Sequence, residues 1–201
     1  MAPRAYTQER RAETTAATRR RVIDAAIGVY REAGVARASI QEIAARADVS
    51  RGTVINHFGG AEGLLDAVLD RAVVDVEYPM PADLAGTETV DDRIRRFVDV
   101  TFRFFERSGD WWFVFASDME LPALKARERH YWEVFARFQA AAFGELASDR
   151  IVAATVRAFV DYGPLSALRG AGLSLEEAID VVGDALVGVA QRRQDESGEG
   201  G

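Results

Sequence analysis

The chain has 201 residues, 48% hydrophobic and 28% charged, with a net charge of −7. That balance fits a globular protein with one sizeable core, or a small domain joined to a larger one. With no cysteine and only two histidines, His57 and His130, it excludes disulfides and thiolate metal sites, and the sequence points to no metal and no cofactor.

Charge is unevenly spread. Residues 1–60 hold 10 Arg against 6 Asp and Glu, and the remainder holds 15 Lys and Arg against 26 Asp and Glu. A basic head on an acidic body confines any polyanion contact to the head. The N-terminal stretch "MAPRAYTQERRAETTAATRRR" has no apolar centre, so no signal peptide is expected. No apolar run approaches the roughly 20 residues of a membrane span. A cytoplasmic protein without a membrane partner is expected.

The periodicity is helical almost throughout and predicts an all-α fold of about nine helices. A flexible basic arm, residues 1–13, precedes a first helix from Thr15 to about Ala33, with Val22, Ile23, Ala26, Ile27 and Tyr30 on one face. Gly34 follows as the helix stop. "SIQE" reads as a capping box at Ser39 and Glu42, opening helix two with Ile40, Ile43, Ala44 and Ala47 inward. "DVS" is a tight turn, and Ser50 caps a short helix from Arg51 to about Phe58, with Val54 and Phe58 inward. Helix four spans Ala61 to about Glu77.

"YPMPADLAGTE" is the sharpest break, since Pro79 and Pro81 stop a helix. Helix five runs from Thr89 to about Arg107, "SGD" ends it, and Trp111 to about Asp118 forms a short aromatic helix. Pro122 opens a long helix to about Leu146. Ser148 caps the next, Asp149 to about Arg169, kinked at Gly163–Pro164. Ser174 and Glu177 open a last helix to about Arg193, and residues 194–201 read as a disordered tail.

Two short helices joined by a three-residue turn behind a packing helix make a helix-turn-helix, here residues 14–60. Ala44 is small where the two helices cross, and Val49 plugs the turn. The second helix presents Arg51, Gly52, Thr53, Ile55, Asn56 and His57 outward: hydrogen-bond donors, a methyl and little negative charge. Such a face suits base edges and phosphates in a major groove. For His57, no carboxylate stands at triad spacing and no nucleophile is near, so catalysis is not its expected role.

Thr18 to Ala72 resembles the DNA-binding head of the tetracycline-repressor (TetR) family. The likeness lies in "RRRVIDAAIGVYREAG", "SIQEIAARADVSRGTV" and "NHFGGAEGLL". It implies that Ser39 bonds a phosphate at a helix N-terminus. It also implies that Gln41, Arg51, Gly52, Thr53, Asn56 and His57, with Arg19 and Arg20, form the DNA-binding set. Three positions depart from the family's usual residues: Ile55 replaces Tyr, Ala61 replaces Lys and Asp48 replaces Gly. The first two remove expected phosphate partners. The basic residues Arg10, Arg11, Arg19, Arg20 and Arg21 are the expected compensation.

The resemblance assigns residues 61–193 to ligand binding and dimerisation, with residues 61–77 as the linking helix. The body is rich in aromatics. Phe97, Phe105, Trp112, Phe115, Phe135 and Phe138 are candidate walls of a pocket, with Asp118, His130 and Asp161 as polar anchors. A hydrophobic or aromatic small-molecule effector is implied. The last two helices are apolar on more than one face and need another partner. The family pattern makes that a homodimer through Val152, Phe159, Leu165, Ile179, Val182, Leu186 and Val189. The expected function is a ligand-responsive repressor whose dimer binds a near-palindromic double-stranded DNA operator. An enzyme is the rival class, but the sequence holds no phosphate loop, metal spacing or nucleophile elbow. The alternative is a family member that has lost specific DNA binding and acts through protein contacts. Ile55 and Ala61 motivate it, and the basic arm argues against it.

Overall fold

The computed structural model describes residues 3–198; the side chains of residues 3–10, 197 and 198, and of Asp110, Trp112, Phe113 and Ala116, fall outside the description. Among the described residues there are nine α-helices and no strand. They are α1 (Pro3–Ala33), α2 (Ile40–Arg46), α3 (Arg51–Phe58), α4 (Ala61–Val76), α5 (Val90–Phe115), α6 (Pro122–Phe143), α7 (Arg150–Phe159), α8 (Tyr162–Gly170) and α9 (Leu175–Gly198). No single one is long and apolar enough to cross a membrane.

The count matches expectation, but the partition differs twice. "SGD" does not end α5, which runs on through Ser108 and Gly109 to Phe115. One mid-helix glycine costs only about 1 kcal/mol, and the Ser108 hydroxyl is absorbed by the Phe105 carbonyl at 3.2 Å. The helix expected over 149–169 is instead two, α7 and α8, bent by 52°. The break falls before Gly163–Pro164. Asp161 is extended and caps α8 by accepting from Tyr162 N at 2.7 Å. Pro164 then sits in a first turn, where no amide donor is missed. Asp149, not Ser148, caps α7, accepting from Ile151 N and Val152 N.

Both termini also differ from expectation. Helix α1 begins at Pro3, within the stretch read as a flexible arm, and α9 continues to Gly198, through the start of the expected tail.

The chain packs as two compact units. The first contains the residues up to Asp75 together with Asp110–Ala126; the second contains Val76–Gly109 and the residues from Arg127 onward. This places the expected linking helix α4 with the head. Its Leu64, Leu65, Ala67, Val68 and Leu69 are buried in one core with Val22, Ala26, Ile43, Val54 and Phe58. Val114 and Leu124 complete that core, and Trp111 and Phe115 pack against it. In the second unit Phe97 is fully buried with its ring 5.1–5.5 Å from those of Phe135, Phe138 and Phe143. Helix α9 is tied to α5 by Gln191–Asp91, Arg95–Asp184 and Arg103–Glu176.

Candidate nucleic-acid interface

The helix-turn-helix is built by two caps and one left-handed residue. Ser39 is extended, and its hydroxyl accepts from Glu42 N at 3.1 Å, satisfying an orphan donor of α2. The turn closes with Val49 N donating to the Ala44 carbonyl at 3.0 Å. Asp48 carries the positive φ, 53°, which Asp tolerates better than most residues. Ser50 then caps α3, accepting from Thr53 N at 3.0 Å, with the two hydroxyls 2.9 Å apart. Ala44, Val54 and Phe58 are buried at the helix crossing. Gly59 ends α3 in the left-handed region at φ 79°.

This geometry decides what α3 offers to solvent. Arg51, Gly52 and Asn56 are exposed; Thr53, Ile55 and His57 are half-buried on its flanks. Ser39, Gln41 and Arg20 are exposed as well. Arg19 has a more committed position. Its guanidinium donates to the His57 carbonyl at 2.7 Å and lies 4.3 Å from the Phe58 ring centre. It braces the C-terminal end of α3 against α1 while remaining a cation. The side chain of Arg10 lies outside the described residues.

An open cleft of about 490 Å³ borders α3, lined by Arg11, Thr14, Thr15, Thr18, Thr53 and His57. The sequence reading missed the threonines. Their signal was legible: Arg11, Thr14, Thr15 and Thr18 follow i, i+3, i+4, i+7 spacing, a polar stripe on one face of a helix. No group of His, Asp and Glu that could hold a metal occurs among the described residues.

The candidate ligand set divides between the units. Phe97, Phe105, Phe135 and Phe138 are buried in the second. Phe115 belongs to the first, where it stacks on Trp111 at 6.1 Å. Asp118 is also in the first unit, and its carboxylate has another use. Its Oδ2 accepts from Val35 N at 2.7 Å and from the Ser117 hydroxyl at 2.8 Å. Gly34, at φ 84°, makes room: a Cβ there would stand 2.8 Å from the same oxygen. Asp118 therefore holds the α1–α2 turn. Asp161 serves as the α8 cap, and His130 is exposed, 6.4 Å from the Tyr78 ring. Neither acid is placed as the free anchor expected of it. Trp112 lies outside the described side chains.

A different polar group stands out in the second unit. Thr101 is fully buried on α5, and its hydroxyl makes no hydrogen bond among the described residues. Its place, four residues from both Phe97 and Phe105, was the available sequence signal. Burial raises the Tyr78 and Tyr131 phenols above their ordinary range, so both stay neutral.

The expected dimer set divides by its burial within this chain. Val152, Leu165, Ile179, Val182 and Leu186 are buried within this chain's own core, and Val189 is half-buried. Among the seven, Phe159 is the exposed one, at 49%. The other exposed large apolar residues on these helices are Ile151 at 44% and Val181 at 52%. Helices apolar on two faces do not reveal by periodicity which face turns inward.

The bacterial regulatory proteins of the tetR family match this chain over residues 22–68, from α1 into α4. The HTH-type transcriptional regulator BetI 1 of Chromohalobacter salexigens is 34% identical over 85 residues, 42% of this chain and 42% of that protein. The chain thus spans under half the length of that relative. The HTH-type transcriptional regulator UidR of Escherichia coli is 26% identical over 183 residues, 85% of this chain and 91% of UidR. Among solved structures, a SmeT–triclosan complex shares the fold with a TM-score of 0.61 at 20% identity, covering 86% of this chain and 91% of that one. The likeness to the tetR family of bacterial regulatory proteins thus rests on residues 22–68, which hold the capped helix-turn-helix, and the rest of the chain shares the fold of the solved structure.

Proposed function

We propose that the protein is a ligand-responsive transcriptional regulator that binds a near-palindromic DNA operator as a dimer and acts as a repressor. The observation that carries this reading is the outward face of α3. Arg51 and Asn56 stand exposed on a helix whose opposite residues, Val54 and Phe58, are buried. Arg pairs with guanine and Asn with adenine in bidentate geometry. Gly52 lets the backbone approach, and Ser39 offers a helix N-terminus to a phosphate.

The effector is a small hydrophobic or aromatic molecule held in the second unit, with the Thr101 hydroxyl as its polar anchor. An orphan hydroxyl in an apolar core gains a full partner when a ligand arrives. The fold's likeness to SmeT, which binds triclosan, supports a ligand of this class. Two copies associate through a patch including Phe159, Ile151 and Val181, which places two recognition helices on successive major grooves. Effector binding favours a state with lower operator affinity. Three segments carry the coupling, because the chain passes between units at the end of α4, within α5 and within α6.

Selection of bound fragments from random and genomic DNA, at roughly physiological salt, tests this. The expected product is a palindrome with half-sites one helical turn or a multiple apart. No enriched sequence from a folded dimer would overturn the operator reading and favour a regulator acting through protein contacts.

A further inference from the structure

The cleft beside α3 has the chemistry of an anion seat. Its lining consists of four threonines, one arginine and one histidine, without a carboxylate. Not every hydroxyl is available. Thr15 donates to the Arg11 carbonyl at 2.8 Å, and Thr53 is engaged with Ser50. The guanidinium of Arg11, the Thr18 hydroxyl and the His57 ring N–H remain as donors in the lining. The walls are held at fixed spacing by Arg19, which joins α1 to the end of α3 through the His57 carbonyl. A cleft so braced pays little ordering entropy when an anion enters.

Its position identifies the anion. Thr53 and His57 line the cleft and also flank the outward residues Gly52 and Asn56 of the recognition helix. A duplex engaged by α3 brings its sugar–phosphate backbone past the groove wall on that side. No cation stands at the neighbouring positions Ile55, on the flank of α3, or Ala61, which opens α4. We infer that this cleft seats a backbone phosphate of the bound DNA and that Arg11 is the residue that neutralises it. This rests on the DNA-binding reading above and adds to it a contact blind to base sequence. It also gives Arg11, ahead of Thr15 on α1, a role.

One neutralised phosphate changes the slope of log K against log salt by about 0.9. Extrapolated from 1 M, where screening removes the contact, to 0.15 M, this is about five-fold in affinity. The experiment measures fluorescence anisotropy with the full chain, the selected operator and a random duplex of equal length, over about 50–200 mM salt. Arg11→Ala is expected to flatten the slope by about one unit and to weaken both duplexes by the same factor. Arg11→Lys should retain the slope. An unchanged slope in Arg11→Ala, with operator binding intact, overturns the inference alone. If the unmodified chain binds neither duplex, the DNA-binding reading itself falls and this site falls with it. A third arm uses inorganic phosphate. If it raises the melting temperature in an Arg11-dependent way while the DNA slope of the variant stays normal, the seat serves a free anion and the inference is wrong.

Discussion

Replacing Asp118 by alanine separates two roles open to a half-buried carboxylate in an aromatic segment. One role is an effector anchor. The other is the observed tie to Val35 N at 2.7 Å, across the turn between α1 and α2. A hydrogen bond to a charged group contributes about 1.5–3 kcal/mol, and its loss leaves an amide to be satisfied by water. Val35 is only half-buried, so water reaches that amide and the lower figure, about 1.5 kcal/mol, applies. For a chain of this size, 1 kcal/mol moves Tm by about 2–4 °C, so Asp118→Ala should melt about 3–6 °C low. Asp118→Asn keeps an acceptor oxygen but loses the charge, and should fall by about half as much. Thermal unfolding of both variants by circular dichroism, with and without operator, reads this. A wild-type melting temperature in Asp118→Ala would refute the tie. A simultaneous loss of effector response with intact stability would return the residue to the ligand-anchor role.

Other residues give separable outcomes. Asn56→Ala removes an exposed side chain from α3 and should cost about 1–3 kcal/mol of operator binding while leaving random-duplex affinity unchanged; an equal loss on both duplexes would argue against base reading. Ala61→Lys adds a cation at the start of α4, so operator affinity should rise with a slope steeper by about 0.9. The same charge opposes the helix dipole, and the variant should lose about 0.3–1 kcal/mol of stability. Phe159→Glu places a charge on an exposed apolar side chain and, if the proposed dimer forms there, should shift sedimentation toward the monomer with little change in melting. Burial pushes the Tyr30 phenol up to about 12. Its folded pKa lies above the unfolded value of 10, so its contribution to stability is complete below pH 10 and is lost as pH rises toward 12. Denaturant midpoints should fall across that window, and Tyr30→Phe should remove part of the fall.

The helix-turn-helix was legible because its information is local. Two capping hydroxyls three residues from their amides, a small residue at the crossing and an apolar pair at i, i+4 each act within one or two turns. The body was less legible because its decisions are made by packing. "SGD" contains a glycine and two cap-forming residues, yet α5 continues because Phe102, Phe104 and Phe105 before it and Val114 after it are all buried. The apolar residues of α7 and α9 showed that two faces needed cover. They did not show that Val152, Ile179, Val182 and Leu186 would meet their own chain and leave Phe159 outside.

The head is basic by composition, but its arginines are not equivalent. Arg46 is paired with Glu32, its Nη2 donating to both carboxylate oxygens at 2.7 and 2.8 Å. Arg37 turns back to the Ala33 carbonyl, and Arg19 to that of His57. Those carbonyls leave the positive charge in place but fix where it sits. Arg11, Arg20, Arg21 and Arg51 are exposed on α1 and α3. Removing the Arg46–Glu32 pair from the count leaves the head's net charge unchanged, because one cation and one anion leave together. What changes is the location of the remaining field, which moves from α2 toward α1 and the start of α3. On the DNA-binding proposal, a duplex drawn to that field would meet α1 as well as α3. On the reading proposed above, Arg11 on α1 therefore adds to the surface that α3 presents.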